Sequence, residues 1–136
     1  MKPSHIEHIG IAVNNLDEAI PFYEKMLGTV CYAIEEVPDQ KVKTAFFKIG
    51  QTKIELLEST DPDGPVGKHI EKRGEGIHHI AYAVEDLERH LEEAEASGIR
   101  LIDSRPRKGA EGLHIAFLHP KSTFGVLTEF CEDKSK

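Results

Sequence analysis

Apolar and polar residues alternate over positions 5–13 so that a strand built from them has two unlike faces. A period of two places Ile6, His8, Gly10 and Ala12 on one side and Ile9, Ile11 and Val13 on the other. The arrangement returns at 76–84, where His79, Ala81 and Ala83 oppose Ile80, Tyr82 and Val84. In both strands the bulky aliphatic side suits packing against a helix, while small residues leave open space beside a histidine. The segment after each strand repeats as well. Asn15-Leu16-Asp17-Glu18 reads as a helix start with Asn15 as N-cap and Glu18 three residues on, and Asp86-Leu87-Glu88-Arg89 is its counterpart.

The first helix carries Leu16, Ala19, Ile20, Tyr23, Met26 and Leu27 on one stripe, with Pro21 early and Gly28 placed to end it. Residues 29–37 and 41–49 read as strands around the turn Pro38-Asp39-Gln40, and Gly50-Gln51 turns the chain into a strand containing Glu55. Ser59 to Pro65 is rich in turn formers and reads as a linker, followed by a short helix of about Val66 to Lys72 that ends at Gly74. The second half is expected to hold a strand at 76–84, a helix from Asp86 to about Ser97 and a strand at 99–103. A basic, mobile loop at Arg105-Pro106-Arg107-Lys108-Gly109 precedes a hairpin pairing about 113–119 with 124–131, and residues 133–136 form a frayed tail.

These elements predict one α+β domain over residues 1–136: module one at about 5–58, a linker and short helix at 59–74, and module two at about 75–131. Each module is βαβββ. One such sheet cannot cover both its faces, so two modules are expected to form a curved eight-stranded sheet around a shared cavity.

Composition narrows the function classes. A formal charge of −7 argues against a nucleic-acid surface, which needs a basic stripe. No stretch has the length of a membrane span, and no apolar run follows the first residues as a signal peptide requires. Cys31 and Cys131 are too few for a disulfide framework, so a cytoplasmic protein with two packed thiols is expected.

The candidate chemistry sits in the repeat. Each half opens with a histidine, His8 or His79, and closes with a strand-like segment holding one carboxylate, Glu55 in Ile54-Glu55-Leu56-Leu57 or Glu129 in Leu127-Thr128-Glu129-Phe130. An unpaired carboxylate in an apolar strand costs on the order of several kcal/mol; a structural salt bridge could satisfy each, whereas a metal ion accounts for both at once. Two imidazoles and two carboxylates suit one Zn, Co, Ni or Mn ion rather than a thiolate cluster. Four protein ligands on a six-coordinate ion leave two positions for a bidentate substrate, whose carbonyl the ion polarises as a neighbouring proton leaves. His78 faces the core side by alternation, His5, His69 and His90 read as solvated, and His114 and His119 carry no assignment.

At these residues the chain resembles the vicinal oxygen chelate superfamily, whose members have the glyoxalase-like fold and paired βαβββ modules with one His and one Glu each. Within it the similarity is to the methylmalonyl-CoA epimerases. It rests on His8 to Val13, Gly50 to Glu58, Gly74 to Ala81, the turn Phe117 to Thr123 and Gly125 to Glu129, and covers nearly the whole chain. The resemblance implies a divalent metal held by His8, Glu55, His79 and Glu129, a metal-stabilised enolate, and epimerisation of methylmalonyl-CoA at C2. Glu129 is the first candidate for proton shuttle. Some epimerases carry a further Glu where this chain has Thr44, which leaves Glu55, a water or another group as the second acid/base. Lys121, Ser122 and Arg107 are candidate contacts to the acyl-CoA substrate. A homodimer is expected, with no nucleic-acid or membrane partner. The alternatives are a glyoxalase I (lactoylglutathione lyase) acting on a glutathione hemithioacetal and a non-catalytic ligand-binding member of the fold.

Overall fold

The structure, a computed structural model, describes residues 1–135; Lys136, the end of the expected tail, lies outside the described residues. Among the described residues, eight strands and three α-helices follow one another: β1 (His5–Ala12), α1 (Leu16–Leu27), β2 (Ala33–Val37), β3 (Val42–Ile49), β4 (Thr52–Ser59), α2 (Pro65–Arg73), β5 (Gly76–Ala83), α3 (Leu87–Ala96), β6 (Arg107–Lys108), β7 (His114–Leu118) and β8 (Thr128–Glu132). This is the expected α+β class. Among the described residues no helix is long and apolar enough to cross a membrane.

Both long helices start where the repeat places a cap. Asn15 Oδ1 accepts the Glu18 N–H at 3.2 Å, and Asp86 Oδ1 accepts the Arg89 N–H at 3.3 Å. Each bond satisfies one of the amides a helix N-terminus leaves without an intrahelical partner. At the other end of α1, Gly28 adopts φ 66°, a left-handed conformation open to glycine at little cost, and returns its N–H to Glu24. Of the expected stripe on α1, Leu16 is buried and Ala19, Ile20, Tyr23 and Leu27 pack on the core, whereas Met26 is exposed.

The chain forms two compact units, one of Met1–His8 with the residues from His79 onward, the other of Ile9–His78. In the first, the strand order is β1-β5-β8-β7-β6. β5 and β8 run parallel with Ala81 beside Glu129, and β7 and β8 run antiparallel with Phe117 beside Glu129. Helix α3 covers one face through Leu87 and Leu91 against Ala116, Leu118 and Phe130. The opposite face carries Ala81, Leu113, Ile115, Phe117 and Cys131. Alternation thus separates a dry, helix-covered side from the side on which His79 and Glu129 stand.

The strand expected at 99–103 is reduced to one bridge, Leu101 to Leu118. Asp103 explains the loss: its carboxylate accepts the Phe117 N–H at 2.9 Å, replacing a main-chain ladder bond with a side-chain one. The ladder resumes at Arg107, opposite Ile115. The basic loop expected at 105–109 contains β6, in which Arg107 pairs with Ile115 and Lys108 with His114.

In the second unit the order is β2-β3-β4-β1. Val13, Leu16, Ala45, Phe47 and Leu56 form its core, with Ile11 and Tyr23 packed against them. The register sets Glu35 opposite Thr44, Thr44 opposite Leu57 and Phe46 opposite Glu55, so these five residues share one face. β2 starts at Ala33 rather than 29, because the Glu24 carboxylate takes the Cys31 N–H at 2.9 Å and diverts the chain from the ladder.

Candidate metal centre

Three of the sequence-selected residues converge within the first unit. His8 comes from β1, His79 from β5 and Glu129 from β8, with 4%, 6% and 3% of their surfaces exposed. His8 Nε2 lies 3.1 Å from His79 Nε2, and Glu129 Oε1 lies 3.3 Å from His79 Nε2 and 3.6 Å from His8 Nε2. The two rings meet edge to face with centroids 5.1 Å apart. The two Nε2 atoms share at most one proton, and once it is lost to solvent or moved to Nδ1 all three inward atoms offer lone pairs.

These separations can be tested against a metal ion. With bonds of about 2.1 Å, two donors at right angles stand about 3.0 Å apart and two at the tetrahedral angle about 3.4 Å apart. The 3.1 and 3.3 Å separations fall inside that range and the 3.6 Å one lies just beyond it, and the donor set of two nitrogens and one carboxylate oxygen is one that Zn, Co, Ni and Mn accept. The residues fit such an ion.

The surroundings are equally specific. Glu7 Oε1 meets His8 Nδ1 in a short contact, with 13% of the Glu7 side chain exposed. A ligand atom of His8, a Glu7 oxygen and Cys131 Sγ also lie within 4.8 Å of one another. The Cys131 thiol donates to Tyr82 O at 3.5 Å. On the other side, the Phe117 and His79 rings meet at a steep angle with centroids 5.5 Å apart. Arg107 rests on Phe117 with its guanidinium carbon 5.7 Å from the ring centroid, and its Nε lies 3.3 Å from Asp103 Oδ1. Glu7, Phe117 and Asp103 were missed by sequence reasoning. Adjacency to His8 was the only signal for Glu7.

Glu55, Lys121 and Ser122 complete the candidate set. Glu55 belongs to the second unit, on β4, and is 4% exposed. Thr44 is buried on the same face. Lys121 is exposed, and its N–H donates to His119 Nδ1 at 3.1 Å. Ser122 Oγ accepts the Arg100 N–H at 2.9 Å. His119 therefore caps the turn at Pro120–Ser122, a role its sequence position left open.

Two histidines expected in solvent are half-buried, each against another ring. His69 stacks edge to face on His78 at 5.0 Å, and His90 on Phe130 at 5.7 Å. Burial, with a smaller contribution from the His69 charge, pushes the His78 imidazole down to about 4. Burial also lowers the His69 pKa, with a further contribution from Arg73.

Residues 7–117 match the sequence model of the Glyoxalase/Bleomycin resistance protein/Dioxygenase superfamily. Uncharacterized protein YqjC of Bacillus subtilis is 44% identical over 131 residues, spanning 96% of this chain and 94% of its own length. The ethylmalonyl-CoA/methylmalonyl-CoA epimerase of Cereibacter sphaeroides is 37% identical over 126 residues, 91% of this chain and 94% of its own. A Streptomyces coelicolor methylmalonyl-CoA epimerase variant, solved in complex with 2-nitronate-propionyl-CoA, superposes with a TM-score of 0.95 at 37% identity. That match covers 98% of this chain and 97% of the other.

Proposed function

The chain belongs to the Glyoxalase/Bleomycin resistance protein/Dioxygenase superfamily, and from that premise we propose that it is a metal-dependent epimerase of methylmalonyl-CoA. The observation that carries the reading is the buried convergence of His8 Nε2, His79 Nε2 and Glu129 Oε1 in a chain whose relatives include acyl-CoA epimerases. His8, His79, Glu129 and Glu55 would hold the ion. When bound, a divalent ion supplies a Lewis acid for the negative charge that develops on the thioester oxygen.

The chain's own residues move the proton. Inverting C2 requires a proton to leave one face of the carbon and another to return to the opposite face, so two groups are needed. Glu129 is assigned the first transfer, through a carboxylate oxygen, and Glu55 the second. Arg107, Lys121 and Ser122 are assigned to the acyl-CoA. The working form is taken as a cytoplasmic homodimer.

Proton NMR of methylmalonyl-CoA in D₂O tests the reading, with metal-loaded protein and a chelator-stripped control. Metal-dependent loss of the C2 proton signal with interconversion of the epimers is the expected result. No exchange at verified metal occupancy would discard this substrate, and turnover of a glutathione hemithioacetal would then move the chain to the lactoylglutathione lyase reaction.

A further inference from the structure

Adjacent residues of a strand point to opposite faces, so a side chain rarely touches its neighbour's ring. Glu7 and His8 break that habit. The Glu7 carboxylate reaches round to His8 Nδ1 at a site where both side chains are largely withdrawn from water. An ionised carboxylate only accepts hydrogen bonds, so this contact requires the proton of a neutral His8 ring to sit on Nδ1. Nε2 is then bare. The 3.1 Å approach of the two Nε2 atoms obeys the same logic: a bare His8 Nε2 accepts from a protonated His79 Nε2, and like tautomers would place two lone pairs or two protons face to face.

We propose that Glu7 is a positioning residue for the metal centre. Its carboxylate holds His8 as the Nδ1–H tautomer, so that the Nε2 lone pair stays aimed at the point shared with His79 and Glu129. The carboxylate also fixes the ring plane and makes Nε2 a stronger donor, two effects that a hydrogen-bonded partner has on a ligating imidazole. The affinity consequence rests on the metal reading given above, whereas the tautomer consequence belongs to the metal-free chain.

Two measurements on the whole protein test this. The first is long-range ¹H–¹⁵N NMR of the metal-free wild type, which is expected to show His8 protonated at Nδ1. A wild-type His8 protonated at Nε2 overturns the proposal. The second is Co²⁺ titration against a chromophoric chelator for wild type, Glu7→Ala and Glu7→Asp. Glu7→Ala is expected to bind Co²⁺ about 10- to 100-fold more weakly, with Glu7→Asp recovering most of the loss.

Binding by Glu7→Ala within about twofold of wild type overturns the positioning role while leaving the metal site standing, since the expected loss is at least tenfold. Weakened binding that Glu7→Asp does not restore, with a parallel fall in the metal-free melting temperature, reduces Glu7 to a packing residue and also overturns it. A folded wild type that binds no Co²⁺ overturns the metal reading and this proposal together.

Discussion

Strands β1 and β5 share one burial rhythm over their first six positions, with a buried histidine fourth and a small buried residue sixth. The residue just before each histidine differs in kind. Glu7 turns toward His8, whereas His78 pairs with His69 from α2. The pleat explains both facts. A period of two allows only one face at each position, so the places of His8 and His79 are shared between the repeats. The preceding residue faces the other way and is set by whatever packs there. Beside β1 the chemistry of that neighbour serves the ligand; beside β5 it makes a half-buried, weakly basic imidazole.

The comparison can be broken most forcefully through the third group, which the two strands share. Glu129→Ala is expected to slow C2 proton exchange by about 10²- to 10⁴-fold, the usual contribution of a general acid–base group. Exchange by NMR measures it, and a loss under about tenfold would take the proton shuttle away from Glu129. Glu35 stands on the same face as Glu55, so the pair Glu55→Gln and Glu35→Gln is informative. Epimer interconversion should suffer more in the former, and the reverse result would give the second transfer to Glu35.

The equivalence of the two histidines is tested next. His8→Ala and His79→Ala should each weaken Co²⁺ binding by more than about 100-fold, beyond the range of a supporting residue. Competition with a chelator reads both. Full metal retention in either variant would end the symmetry that the repeat suggests.

His78 gives a stability prediction with a defined sign. Its folded value of about 4 lies below the ordinary 6.5. Between those values the unfolded chain holds a proton that the folded chain refuses, so stability is full above about pH 6.5, falls as the pH drops and levels off below about 4. The shift corresponds to roughly 3 kcal/mol at most. Urea denaturation of the metal-free protein from pH 7 to pH 4 should show this slope, and His78→Gln should flatten it. An unchanged slope in the variant would place the acid sensitivity elsewhere.

The smallest effects concern the caps. Asn15→Ala should cost about 1 kcal/mol of unfolding free energy through its lost bond to the Glu18 amide. Asp86→Ala should cost about 1–2 kcal/mol more, because Asp86 has φ 55° and alanine pays for the left-handed region where aspartate is better tolerated. Equal losses would show that the conformational difference between the two caps carries no energy.

Legibility followed the range of the interaction. The helix starts at Asn15 and Asp86, the αL stop at Gly28 and the two-faced strands at His8 and His79 all depend on neighbours within four residues. All were readable. The single bridge at Leu101 and the late start of β2 were not, since each turns on a side chain that captures an amide beyond that range: Asp103 for Phe117 and Glu24 for Cys31. Both ladders were altered by hydrogen bonds with no periodic signature. His69 was read as solvated because its partner is nine residues away on another element.

For the site itself, sequence determined which residues carry lone pairs and on which face of their strands they stand. Only tertiary structure brought His8 and His79, 71 positions apart in the chain, to a 3.1 Å Nε2 contact and set Glu129 beside them. It alone swung Glu7 onto His8. Facing is a property of one strand and follows from backbone geometry over a few residues. Convergence depends on strand pairing and packing across the chain, where the cost of closing long loops is met by contacts that no local pattern specifies.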